Sequence, residues 1–169
     1  SAGQGVAENQ IGQAAEQQER AIAALDAMLD ALTNRQEREL SRLVEKLRAA
    51  EAELNALRAQ QAALSEHLTQ AARSQESNEA KRAELERLSA EQRELASATE
   101  QMSRTLARLQ ANAGAQRVND AASEMRRAEA QAKQNSGEAA SEQAQQAKQS
   151  LDEAQRMLAE QREQAEQKL

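Results

Sequence analysis

The chain has 169 residues and a net charge of −6, with no Cys, Pro, Phe, Tyr or Trp. Without aromatic rings a thick globular core lacks its usual filling, and without cysteine there is neither a disulfide framework nor thiolate chemistry. The dominance of Ala, Gln, Glu, Leu and Arg, with 30% of residues charged, is the composition of long helices and coiled coils.

A mean hydropathy of −0.90 would also suit a disordered chain, and periodicity decides against that. From Ile22 to Leu68 the chain places one isoleucine and ten leucines at heptad or near-heptad spacing. Left in water, eleven such side chains would forgo roughly 15–30 kcal/mol, at ~1.5–3 kcal/mol each. The expected fold is therefore all-α: an elongated antiparallel coiled-coil hairpin that widens into a three-helix bundle at one end. One elongated domain is expected over 1–169.

Helix 1 is predicted over 6–73. Gly3, Gly5 and Gly12 lie where its start is expected to fray, and Ser1-Ala2-Gly3 looks like a cloning remnant, so the chain is expected to be an excised segment. Its first apolar face, "AIAALDAMLDAL" at 21–32, carries Ile22, Leu25, Met28, Leu29 and Leu32. Flanking alanines make it the broadest in the chain, the pattern of a helix covered on two sides. The alternation of three and four then slips between Gln36 and Leu40, a stutter that locally unwinds a supercoil. It resumes through Leu43, Leu47, Ala50, Leu54, Leu57, Gln61, Leu64 and Leu68.

The stripe dies in "ARSQESNEAK" (72–81), where Ser and Asn favour caps and turns. A hairpin tip is expected at 74–78, with Arg73, Ser74, Gln75, Glu76, Ser77, Asn78 and Lys81 as candidate partner-docking residues. An unbroken helix zipped into a parallel dimer would use the same leucines. Helix 2, expected over 79–112, carries Leu85, Leu88, Gln92, Leu95, Thr99, Met102, Leu106 and Leu109. Two antiparallel registers fit. One sets Leu64 against Leu85, which also sets Leu40 against Leu109; the other sets Ala71 against Leu85 and Leu64 against Gln92. Gln61 and Gln92 interrupt the seam in both, as register-fixing polar core residues do.

Gly114 and Gly137 read as helix stops, giving helix 3 over 116–134 and helix 4 over 138–169, with Ser136 as N-cap and Glu138 in the first turn of the latter. Met125 in helix 3, and Leu151 and Leu158 in helix 4, lie on Ala-rich faces expected to cover residues 21–32. Glu100 with Arg104, Glu129 with Lys133 and Asp152 with Arg156 stand at i, i+4 spacing, each worth ~0.2–0.5 kcal/mol.

The residues offer no site chemistry. His67 is the one histidine, too few ligands for a metal site and no basis for a triad. The five glycines match no phosphate loop, and acids interleave the arginines where nucleic acid would need a basic patch. No catalytic residue, cofactor or metal is expected, and no nucleic acid. A protein partner or self-association through helices is expected instead. No run reaches the ~18 apolar residues of a membrane span, and no secretory signal pattern is present. Besides burial in the bundle, two other readings of the 21–32 helix stand: a docking face for another protein, and a lipid interface, although Asp26 and Asp30 make its polar face acidic and Lys, Trp and Phe anchors are missing.

The stretch "AASEMRRAEAQAKQNSGEAASEQAQQAKQSLDEAQRMLAEQ" (121–161), through Met125, Gly137, Ala140, Ala147, Leu151 and Leu158, resembles the Ala/Gln/Glu-rich helical hairpins of undefined function found towards the ends of large bacterial coiled-coil proteins, some of them membrane-anchored. The resemblance implies a bacterial, envelope-associated origin and no activity of its own; a cytoplasmic setting stays open. Together these readings point to a structural or scaffolding module, a spacer or docking segment.

Overall fold

In the computed structural model, which describes residues 2–169, the chain is all-α. Four helices follow one another: α1 (Ala2–Arg73), α2 (Asn78–Arg108), α3 (Asn112–Lys133) and α4 (Gly137–Gln167). Ser1 lies outside the described residues. The single expected domain divides into two compact units, one up to Arg42 and the other Leu43–Lys168.

The second unit is an antiparallel bundle. Its first member is the last part of α1, residues 43–73, which matches α2 and α4 in length at 31 residues each. The turn between α1 and α2 falls where the pattern dies. There the Ser77 hydroxyl accepts from the Ala80 amide at 3.3 Å to cap α2, so the chain doubles back and the 70s are not a continuous helix. The expected hairpin and bundle are both present.

The hairpin's register matches neither expected alternative. Gln61 and Gln92 meet in one layer, both almost fully buried. Gln61 donates to the Gln92 Oε1 at 3.1 Å and Gln92 donates back at 2.8 Å. The spare Gln61 proton reaches the Ala144 carbonyl at 3.0 Å. That third partner on α4 explains the register, because a two-stranded count leaves each amide facing a leucine while a layer shared with α4 satisfies both.

The place where α3 and α4 lie is the main correction. Both run alongside the hairpin, and Ile22, Leu25, Leu29 and Leu32, which they were expected to cover, are exposed. Arg58 reaches Asp152 at 2.9 Å, Thr69 shares a 2.6 Å hydrogen bond with Ser141, and Arg162 joins Glu51, so α4 packs antiparallel on residues 43–73. Helix α3 fits between α2 and α4: Arg126 meets Glu100 at 3.1 Å and Arg117 meets Glu153 at 3.2 Å. Of the three predicted i, i+4 pairs only Glu129–Lys133 forms, at 3.2 Å; Glu100 and Asp152 reach across to neighbouring helices instead.

The core consists of leucines from the hairpin and small residues from α3 and α4. Leu47, Leu54, Leu57, Leu64, Leu68, Leu85, Leu88, Leu95, Met102, Leu106, Met125, Leu151 and Leu158 are buried as expected. Leu40, Leu43 and Leu109 are only half-buried, because they stand at the ends of the covered layers. Burial also takes in Val44, Glu51 and Ser65 on the α4-facing flank, which a single-seam count misses. Alanines such as Ala121, Ala128, Ala140 and Ala147 are fully buried, and their small side chains let the helix backbones approach. At Gly137 a Cβ would stand 3.2 Å from the Ala72 Cα, so this glycine is there for close approach and not as a stop.

The stops are elsewhere. Gln110 and Asn135 hold positive φ, at 59° and 60°. Behind each, the chain closes a Schellman turn: the Ala111 amide donates to Leu106 O at 2.9 Å and the Ser136 amide to Gln131 O at 2.9 Å. Gly114 and Gly137 lie just inside the starts of α3 and α4. Ser136 occupies the N-cap of α4 without a side-chain cap. Glutamine has no local hydrogen bond that favours the left-handed region, whereas asparagine does. Gln110→Gly is therefore expected to stabilise the bundle by about 1 kcal/mol and Asn135→Gly by less, read as unfolding free energies in urea.

Two carboxylates of α3, the half-buried Glu124 and the buried Glu129, respond to pH in opposite senses. Glu124 of α3 packs against α4 where the Ser150 hydroxyl donates to both its oxygens at 3.0 and 3.1 Å. Burial nevertheless pushes its carboxyl above the usual range, helped by Asp120 and Glu153. At Glu129 burial pushes the same way, but hydrogen bonds from Arg93 and Lys133 outweigh it and the carboxyl falls below the usual range. A raised folded value means the ionised Glu124 opposes folding, fully so above that value and not at all below the unfolded one. A lowered value means Glu129 supports folding above the unfolded value and loses that support as pH falls through the folded one. Glu124→Gln should therefore raise the neutral-pH melting temperature, and Glu129→Gln lower it, by roughly 1–3 °C. Both differences should shrink on acidification in melts taken from pH 7 to pH 3.

Candidate docking surfaces

Two places in the chain present exposed side chains in a defined arrangement. The first is the tip. Of its candidate residues, Arg73 closes α1 and Asn78 opens α2, while Gln75, Glu76, Ser77 and Asn78 are exposed. The turn is tied by its own groups: the Ser74 hydroxyl accepts from the Glu76 amide at 3.2 Å and Lys81 donates to the Ala72 carbonyl at 3.3 Å. Ser74, Ser77 and Lys81 are thus brought together by the turn they build, which leaves Gln75, Glu76 and Asn78 facing solvent.

Beside the tip an open groove of about 600 Å³ runs between α1 and α2, bordered by His67, Ser74, Glu84 and Arg87. Its Arg87 is paired with carboxylates of its own helix. Arg87 bridges Glu84 at 2.5 Å and Glu91 at 2.6 Å, and its hydrogen bond holds the Glu84 carboxyl below the usual carboxylate range. His67 stands on the exposed side of α1. Among the described residues no group of three or more His, Cys, Asp or Glu could hold a metal ion. The groove is a solvated face of the hairpin, with walls too open to desolvate an acid or a base.

The second place is the first unit. Ile22, Leu25, Met28, Leu29 and Leu32 are 53–61% exposed, and Val6 and Ile11 are exposed with them. Four of these, Ile22, Leu25, Leu29 and Leu32, were expected in the core. The correction has a simple cause. Helices α2 and α4 are each only as long as residues 43–73, and α3 is shorter at 22 residues, so the chain has no helix left to lay over 21–32. That signal was available in the spacing of the breaks, since the predicted helices after the tip were each far shorter than helix 1. The result is an apolar row on one helix face, flanked by the carboxylates of Asp26 and Asp30. Among the described residues no helix is long and apolar enough to cross a membrane.

Comparison of the chain with protein-family models, with curated proteins and with solved structures finds no match.

Proposed function

We propose that the chain is a non-catalytic helical scaffolding module of a larger protein, which engages another protein through the apolar face of residues 22–32. The observation that carries this reading is the exposure of Ile22, Leu25, Met28, Leu29 and Leu32 on one side of a formed helix. Contiguous apolar rows of this kind mark interaction sites. The energetics say what sort of partner is needed. Five side chains, each ~1.5–3 kcal/mol on full burial and somewhat over half exposed, release roughly 4–9 kcal/mol when covered. Lost freedom on association costs ~4–15 kcal/mol. A stable complex therefore needs a partner that brings an apolar row of its own, as another amphipathic helix does.

A lipid surface is the second reading, since the same row is open to it. Asp26 and Asp30 beside the row oppose anionic headgroups, and the basic flanks and aromatic anchors of interfacial helices are missing.

The test is photo-crosslinking in cells that make the protein, with a photoreactive amino acid in place of Met28. Protein adducts are expected, lost in the Leu25→Ser/Leu29→Ser chain and absent when the probe replaces Ala23 on the opposite side of the helix. An absence of protein adducts at Met28 would overturn the reading, and lipid adducts in their place would establish the lipid alternative.

A further inference from the structure

We propose that the partner of this face is a second copy of the same helix, laid antiparallel about the level of residue 27; the inference rests on the docking reading and names its occupant. The exposed row belongs to a longer one. Ile11, Ala15, Gln18, Ile22, Leu25, Leu29, Leu32 and Gln36 alternate four and three without a break, the spacing of a two-stranded seam. Every one of these residues is exposed, so the whole seam is free in the single chain.

From Gln18 to Gln36 the row reads the same in both directions. Reversed about residue 27, Ile22 stands against the second copy's Leu32, Leu25 against Leu29, and Gln18 against Gln36. Each a-type position then meets a d-type position, as antiparallel packing requires. The Gln18–Gln36 layer repeats an arrangement the chain already contains, since Gln61 and Gln92 exchange amide hydrogen bonds across antiparallel helices. A glutamine in an apolar seam needs such a partner.

Charge selects the direction. Residues 2–30 hold Glu8, Glu16, Glu19, Asp26 and Asp30 against Arg20, whereas Arg35, Arg38 and Arg42 outnumber Glu37 and Glu39 just beyond. Antiparallel pairing lays the acidic stretch of one copy along the more basic stretch of the other. Parallel pairing lays the acidic stretch on its own copy. At the twofold axis Met28 faces its twin on one flank and extends the apolar cover. Asp26 faces its twin on the other flank, the one close like-charge approach of the antiparallel arrangement.

Sedimentation of the full chain from about 1 to about 200 µM should give a reversible dimer. Leu25→Ser/Leu29→Ser should weaken it at least ~100-fold, while the melting of Leu43–Lys168 stays unchanged because both side chains are exposed in the single chain. Asp26→Asn should tighten it roughly 2- to 5-fold by removing the like-charge approach; in a parallel pair Asp26 would face Ala21 and the change would do nothing. The chain holds no cysteine, so orientation is read directly by oxidising an equal mixture of I22C and L32C chains. The disulfide between the two different variants should predominate. A monomer over the whole range, or an I22C chain that preferentially links to itself, overturns the inference. A monomer that still gives protein adducts from the Met28 probe retires self-pairing and leaves the docking reading standing; a monomer without them retires both.

Discussion

Leu54→Ala is expected to lower the unfolding free energy by about 2–5 kcal/mol, and Leu29→Ala by less than about 0.5 kcal/mol when both are measured on dilute chain. In sequence the two leucines are alike, each on a heptad stripe of α1 with charges and small residues around it. In the folded chain Leu54 is fully buried and Leu29 is 60% exposed. Truncating Leu54 removes transfer free energy and leaves a cavity, because the helices around it are fixed by other layers and relax only partly. Truncating Leu29 removes contacts with water. Urea titration of both variants with helicity as the readout checks the contrast. Equal losses would mean that residues 21–32 are covered in the single chain, as a bundle capped over that face would have them. The same pair separates packing from association, since at high concentration Leu29→Ala should begin to cost in proportion to dimer formed.

The contrast also marks how far the sequence could be read. The all-α class, the turn in the 70s and thirteen of the twenty expected core residues follow from local information: heptad spacing, the absence of aromatic rings, and Ser and Asn where the stripe dies. What failed was global. Ile22, Leu25, Leu29 and Leu32 were assigned cover because apolar rows want it, although wanting a cover does not supply a helix long enough to be one. Glycine usually provides the left-handed residue that stops a helix, yet Gln110 and Asn135 do so here. Gly137 serves close approach to Ala72 instead, a demand that appears only once α4 is known to start beside the end of α1. Of the docking candidates, Ser74, Ser77 and Lys81 are occupied with holding the tip.

The register error leads to the second large effect. Gln61→Leu is expected to cost about 1–3 kcal/mol, even though it replaces a buried polar residue with a better hydrophobe of similar size. The reason lies in what remains: the Gln92 amide, 1% exposed, loses both the group that donates to it at 3.1 Å and the group that accepts from it at 2.8 Å, and no water can reach it. Gln92→Leu should cost a similar amount, because it strands the Gln61 carbonyl. The double variant should recover most of the loss and end near or above the parent, since removing both partners leaves no orphan. A double-mutant cycle in urea should thus return a coupling of roughly 2 kcal/mol or more. What the double variant loses is discrimination. With leucine at both positions the seam of residues 43–73 against α2 becomes apolar in every layer, and the two registers that the leucine spacing alone permits compete with the native one. A cysteine pair at Leu57 and Leu95, which the glutamine layer holds close, should crosslink cleanly within the parent chain and lose efficiency in the double variant. Near-additive single losses would show that the two amides do not act as a pair, and the glutamine layer would then have no part in choosing the register.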